Sequence, residues 1–282
     1  MRLASVTIDA RSTFGLIKGD KLLDVGAMIG RQYPDLRALL AAGPALLGEL
    51  REREADIPLD AVQFLPVIPN PDKIICVGLN YRSHVAETGR TESERPAIFL
   101  RLAASQVGHR APMICPAVSA QFDYEGELAV VIGRRGRNIP QERALDYVAG
   151  YSCYNDGSIR DWQRHTHQWT PGKNFPGTGA FGPWLVTADE IPDPTVLTLV
   201  TRLNGETVQS TSLDLLIFTI PEIVAYVSTW TELIPGDVIV TGTPGGVGFK
   251  RNPPLFMRPG DTVEVEISQV GTLSNPIAAE NV

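Results

Sequence analysis

From Lys73 onward the chain is cut into short apolar runs: "KIICVGL", "AIFLR", "ELAVVIG", "YVAGYSCYN", "WLVT", "TLVTRLNGE", "DVIVTG" and "TVEVEI". Each is bounded by Gly, Pro, Asn or charged residues and is too short for a core helix, so each reads as a strand. Only the start of "PQERALDYVAG" and the stretch "IPEIVAYVSTWTEL" carry a convincing helical pattern there. Many strands with few helices between them favour a sandwich or barrel-like roll over a doubly wound sheet. The fold class expected is α+β and β-rich.

The segment before that pattern reads differently. "ASVTI" and "FGLIKGDKLLDV" form short strands joined through a turn at Lys18-Gly19-Asp20. "DLRALLAAGPALLGELRER" reads as helix interrupted at Gly43-Pro44. Pro66, Pro69 and Pro71 then make a stiff connector. We expect a small N-terminal α/β domain over residues 1–68 and a larger one over 69–282.

Charge and apolar patterning exclude several function classes. A net charge of -7 without a Lys/Arg run argues against a nucleic-acid partner. No apolar run approaches the roughly 18 residues that span a bilayer, so no membrane role is expected. "MRLASVTIDARSTFG" lacks the apolar core of a secretion signal. Cys76, Cys115 and Cys153 have neither CxxC spacing nor an even count, and read as reduced core thiols of a cytoplasmic protein.

In "QFDYEGELAVVIG", Asp123, Glu125 and Glu127 stand at alternate positions before a run that wants burial. On a strand all three carboxylates would share one face. Either water solvates that face, as on most acidic strands, or a cation sits there. Asp156, at the end of "YVAGYSCYND", would complete an oxygen-only site for a hard cation such as Mg2+ or Mn2+.

A second constellation is "NYRSHVAETG", where His84 and Glu87 lie i,i+3 on one helical face. A carboxylate that holds an imidazole fixes its tautomer and raises its basicity. The bland alternative is a surface His–Glu pair. The polar residues and Gly89 suit a mobile lid.

Three further features remain, the first two of less weight. His165 and His167 form an HxH pair without a third zinc ligand, and read as loop-surface residues. "TGTPGGVG" lacks the lysine of a phosphate loop; its glycines would let backbone approach a ligand, with Thr241 or Thr243 donating a hydrogen bond. The long connection from Asn155 to Pro183 has no sustained periodicity, yet Trp162, Trp169, Phe175 and Phe181 argue for an ordered active-site wall.

Taken together and in order, "KIICVGLNYRSHVAETG", "FDYEGELAVVIG", "DYVAGYSCYNDGSIRDWQ", "PGKNF", "GPWLVTADEI", "PGDVIVTGTPGGVG" and "PGDTVEVEISQVGTLSNP" resemble the fumarylacetoacetate hydrolase family. The likeness runs from about residue 70 to the C-terminus; the N-terminal unit matches the longer members more loosely. It implies a mixed β-sandwich roll, a homodimer, and Mg2+ or Mn2+, sometimes Ca2+, held by Glu125, Glu127 and Asp156. Asp123 then lies behind the ligands. The resemblance also maps the HxxE pair to His84 and Glu87, the loop lysine to Lys173, and "RDWQ" to Arg160 and Gln163.

Chemistry follows from that mapping. The ion would chelate the 2-oxo acid end of a β-diketo acid, while His84, held by Glu87, deprotonates water for attack on the distal carbonyl. Lys173 and Gln163 would stabilise the oxyanion or the departing enolate. Tyr81, Arg101, Arg160 and Thr243 are the expected substrate contacts. The leading expectation is hydrolysis of an acylpyruvate to pyruvate and a carboxylic acid. The alternative is decarboxylation or isomerisation of a 2-oxo or 2-hydroxy-diene acid from aromatic catabolism, oxaloacetate decarboxylation included. A metal-stabilised binding protein without turnover is a third class.

Two departures from the family's pattern bear on the substrate. "IFLRLAAS" places Arg101 and Leu102 where members often carry lysine and proline, and Leu79 stands where members acting on very small keto acids often carry arginine. Both favour a substrate larger than oxaloacetate.

Overall fold

The run Leu128–Ile132 is apolar at every position because the strand Gly126–Ile132 is covered on both faces. Leu128, Val130 and Ile132 enter one core, Ala129 and Val131 another. This is how a strand in the middle of a sheet reads in sequence. The computed structural model describes residues 1–281.

Gly126–Ile132 is central in a mixed sheet of 12 strands. On one side lie Val238–Val240, Ile74–Gly78 and the edge strand Ala97–Arg101; on the other lie Val148–Asn155 and Gly179–Thr187. A second sheet of 5 strands contains Glu206–Ser212, Thr198–Leu203, Thr262–Ile267, Gly271–Ala279 and Met113–Cys115. Its strands bury alternate residues: Leu199, Leu203, Val263, Val265 and Ile267 join the core between the sheets. The helix Ile220–Trp230 closes that core with Ile220, Ile223, Val224 and Val227, at i, i+3, i+4 and i+7. A capping box between Thr219 and Glu222 sets its start. The architecture is the β-rich α+β roll expected from the strand pattern.

The N-terminal strands are not a sheet of their own. Arg2–Ile8 pairs with Gly179–Thr187, with Leu3 opposite Leu185, so the first unit extends the central sheet. The helical stretch breaks where Gly43-Pro44 indicated, into Leu36–Ala42 and Pro44–Arg51. We keep 68/69 as a proposed boundary on the composition of the connector alone.

One local expectation is corrected. Asp123, Glu125 and Glu127 do not share one strand: Asp123 belongs to the short strand Phe122–Asp123, and the next strand begins at Gly126. Between them the backbone turns to meet the end of Val148–Asn155, where Asn155 Oδ1 accepts from Glu125 N and Glu125 O accepts from Asp156 N. Residues 155–183 are ordered by two short helices, Arg160–Gln163 and Thr170–Lys173, too brief to leave a periodic signal.

Candidate active site

Four chain segments bring the site together at one end of the central sheet. Ile74–Gly78 runs parallel to Val238–Val240 and antiparallel to Ala97–Arg101. Beyond Gly78, Leu79 takes a left-handed backbone (φ 58°), costly for a residue with a Cβ, and turns the chain into the helix Arg82–Thr88. Asn80, fully buried, holds this turn: its amide donates to Phe218 O and Thr241 O and accepts from Phe218 N. The helix ends at Gly89, left-handed at φ 69°.

That helix carries the expected dyad. His84 Nδ1 lies 2.7 Å from Glu87 Oε1, and His84 is buried. With Nδ1–H donating to the carboxylate, Nε2 is the free basic nitrogen. The glycine-rich segment after Val240 grips the helix: Gly245 N–H donates to Ser83 Oγ at 3.1 Å and Gly246 N–H to Glu87 Oε2 at 2.8 Å.

The same segment donates to two more carboxylates. Gly242 N–H reaches Glu127 Oε2 at 2.5 Å; Gly248 and Phe249 N–H reach Asp123 at 2.8 and 3.0 Å. Gly242 (φ 106°) and Gly246 (φ 103°) are left-handed, and a Cβ on Gly242 would meet the Asn80 side chain at 2.7 Å. Here the expectation for Thr241 and Thr243 is corrected. Both hydroxyls donate to strand carbonyls, Leu128 O and Gly126 O, and Gln209 donates to Thr243. Thr243 borders the cavity with its hydroxyl proton already spent.

Below the helix, Glu125, Glu127 and Asp156 place carboxylate oxygens within 4.8 Å of one another, all buried. Lys173 Nζ bridges Glu125 Oε2 and Asp156 Oδ2 at 2.6 Å each. Arg160 Nε donates to Asp123 at 2.7 Å; its Nη2 stands 2.7 Å from Glu125 Oε1, at an angle too bent for a hydrogen bond. Burial pushes the Glu125 carboxyl up, but the charges of Arg160, Lys173 and His84 outweigh it and hold it well below the usual range. Glu127 goes the other way. Burial, then the charges of Asp156 and Glu125, raise it well above the usual range, and no cation bonds to it among the described residues.

Charge counting gives the site a preference. Four buried carboxylates (Asp123, Glu125, Glu127, Asp156) face three buried cations, Arg101, Arg160 and Lys173. One negative charge is left over, on a cluster of hard oxygens of the right spacing. This donor set fits a divalent cation such as Mg2+ or Mn2+.

Over the cluster opens a cavity of about 220 Å3. His84, Glu125, Glu127, Arg160, Gln163, Lys173 and Thr243 border it, with walls from Phe99, Trp169 and Phe249. Gln163 Oε1 accepts from Arg160, which leaves its amide NH2 for a ligand. Trp169 lies so close to Gly78 that a Cβ there would meet the indole at 2.4 Å.

Two expected substrate contacts lie elsewhere. Arg101 does not reach the cavity; its side chain is fully buried and its donors go to Asp156, Gly157 O and Thr178 Oγ1. Tyr81 packs into the core beneath the helix, its hydroxyl without a hydrogen-bond partner. His165 and His167 are exposed, as expected of a loop surface. Sequence reasoning missed Phe99 and Phe249 as cavity walls, while Trp169 belongs to the loop expected to form one.

A β-roll with a buried carboxylate triad under a His–Glu helix defines an enzyme-like centre, and the comparisons name its class. The family model "Fumarylacetoacetate (FAA) hydrolase C-terminal" matches residues 73–278, and the chain belongs to that enzyme family. It is similar to the rat protein "Oxaloacetate tautomerase Fahd2a, mitochondrial", 43% identical over 222 residues, 78% of this chain and 71% of that one. Among solved structures it is similar to a putative HpcE protein from Mycobacterium smegmatis (38% identity, TM-score 0.89, 100% of both chains). It is also similar to maleylpyruvate hydrolase from Sphingobium sp. SYK-6 in complex with manganese (II) ion and pyruvate (30% identity, TM-score 0.84, 100% of both chains). Tautomerase and hydrolase are thus both names borne by relatives of this chain. No described helix is long and apolar enough to cross a membrane.

Proposed function

We propose that the protein binds a 2-oxo acid over the carboxylate cluster and moves a proton at the carbon beside its keto group, interconverting keto and enol forms. The observation that carries this reading is that His84, held by Glu87, borders the same cavity as Glu125, Glu127 and Lys173. The tautomerase name of the rat relative supports it.

Glu125, Glu127 and Asp156 would hold Mg2+ or Mn2+, with Ca2+ a further candidate; the manganese complex of the Sphingobium structure supports this. When bound, the ion supplies Lewis-acid polarisation of the keto group. His84 Nε2 would take a proton from the adjacent carbon and deliver it to the former keto oxygen to give the enol, or carry it from that oxygen back to carbon in reverse, while Glu87 keeps the ring oriented and stabilises its charged form. Lys173 is kept charged because Asp156 and Glu125 outweigh the cost of its burial. It faces the enolate oxygen with the free amide of Gln163, while Arg160 positions Glu125 and Gln163.

The test is hydrogen–deuterium exchange at that carbon, followed by NMR with a 2-oxo acid and Mn2+ or Mg2+. Wild type accelerates exchange, and His84→Gln slows it by about 100-fold or more. Exchange at the uncatalysed rate in wild type would sink the proposal.

A second reading is hydrolysis of a carbon–carbon bond in a β-diketo acid such as an acylpyruvate, with the same dyad activating water. The maleylpyruvate hydrolase name of a 30% identical structure favours it. Product analysis by mass separates the two. The three free thiols support a reducing compartment such as the cytoplasm. We also propose a homodimer, supported by exposed Leu100 on the edge strand Ala97–Arg101 and neighbouring Leu102; light scattering at micromolar concentration checks it.

A further inference from the structure

The mouth of the cavity is basic, although the chain as a whole is acid. Arg90, Arg164 and Lys250 border it, and among the described residues the carboxylates that line it are Glu125 and Glu127, buried at the floor. Among the described residues none of the three mouth cations forms a salt bridge; of the site acids, Asp123, Glu125 and Asp156 are paired with Arg101, Arg160 and Lys173, and Glu127 lies buried at the floor without a cation partner. In a chain with 32 acids and 25 bases, three unneutralised bases around one opening call for a ligand.

Aromatic rings hold these cations in place. Arg90 lies over Trp169 (5.5 Å to the ring centre), while Arg164 and Lys250 lie over Phe249 at 5.8 and 5.4 Å. Arg164 is fixed further by its donors to Arg160 O and Gln121 Oε1. A ring face orients a cation without cancelling its charge, as a carboxylate partner would. Phe249 also carries Arg160 at 4.4 Å, so one ring joins the floor to the mouth. Trp169 is seated by the missing side chain of Gly78 and by an edge contact with Phe99, 5.3 Å between centres.

We propose that Arg90, Arg164 and Lys250 form a subsite for a second, distal carboxylate, so that the protein selects 2-oxo diacids over 2-oxo monoacids of equal length. This rests on the reading that the floor holds the 2-oxo acid end. The floor cations, Arg160 and Lys173, are already paired with Asp123, Glu125 and Asp156, so the unpaired cations open to a far carboxylate are those at the mouth. An acylpyruvate with an alkyl tail would leave all three unsatisfied.

Equilibrium binding tests this without turnover. Titrate the Mn2+-loaded protein by calorimetry with 2-oxoglutarate and 2-oxoadipate, and with 2-oxopentanoate and 2-oxohexanoate as their monoacid counterparts. Ion pairing of one exposed carboxylate with these cations predicts a preference for the diacid of about tenfold or more. The triple variant Arg90→Gln, Arg164→Gln, Lys250→Gln should bring that ratio close to one. A control neutralising three exposed arginines away from the cavity (Arg31→Gln, Arg53→Gln, Arg258→Gln) should leave it intact. Equal affinities for all four acids in wild type, a ratio that survives the triple variant, or an equal drop in the control would each overturn the subsite alone. Absence of heat from all four acids would instead overturn the reading of the floor, and the subsite with it.

Discussion

Glu127→Gln should make the metal-free protein more stable while removing its response to divalent ions. In the structure this carboxylate is 2% exposed, accepts one backbone N–H from Gly242, and faces Glu125 and Asp156 without a cation of its own. A buried charge left unpaired costs several kcal/mol, and the rise in its pKa expresses that cost. The amide of Gln keeps the bond from Gly242 and offers two donors to the neighbouring carboxylates. Allowing for imperfect geometry, we expect a gain of about 1–2 kcal/mol, or roughly 2–3 °C in Tm for a chain of this size. With Mn2+ at 100 times its Kd the wild type should gain about 2.7 kcal/mol, and the variant almost none. Differential scanning calorimetry in EDTA and in MnCl2 reads both effects. A variant that melts below wild type in EDTA, or that keeps the full metal shift, would refute the claim that Glu127 is an uncompensated charge waiting for a cation.

Other expectations concern the support of the site. Gly78→Ala should displace Trp169, since no Cβ fits 2.4 Å from the indole, and substrate KM should rise at least several-fold with a shift in tryptophan emission; unchanged emission would count against a wall at that position. His109, whose pKa is lowered to about 4 by burial and then by Arg110, takes up its proton far later folded than unfolded. Its contribution, at most about 3 kcal/mol, is complete above pH 6.5 and is lost as pH falls towards 4. His109→Asn, which keeps an acceptor for Ser274 N–H, should flatten urea-derived stability over that window, and an unchanged slope would reject the assignment. Gly246→Ala should strain the left-handed turn at φ 103° that holds Glu87, lowering turnover more than metal affinity; a metal shift lost to the same degree would show wider disruption.

Much of this was legible in the sequence because it depends on local pattern. The apolar run Leu128–Ile132 and the alternation in "TVEVEI" report on how many faces of a strand are covered. The i,i+3 spacing of His84 and Glu87 sets their contact through helix geometry alone. The acids Glu125, Glu127 and Asp156 were named through the order of seven motifs, since alternation by itself left a wet face open.

What only the tertiary structure decided is where side chains with the same chemistry point, and with whom they pair. Arg101 and Arg160 are both buried arginines bonded to site acids, yet one borders the cavity and the other is sealed behind Asp156. Thr243 sits at the cavity and still has no proton to give, because a strand carbonyl takes it. The cations at the mouth come from segments around residues 90, 164 and 250, and no window of sequence relates them. Chain-local spacing constrains neighbours along a helix or strand; pairing across a fold depends on which distant donors and acceptors the packing leaves over.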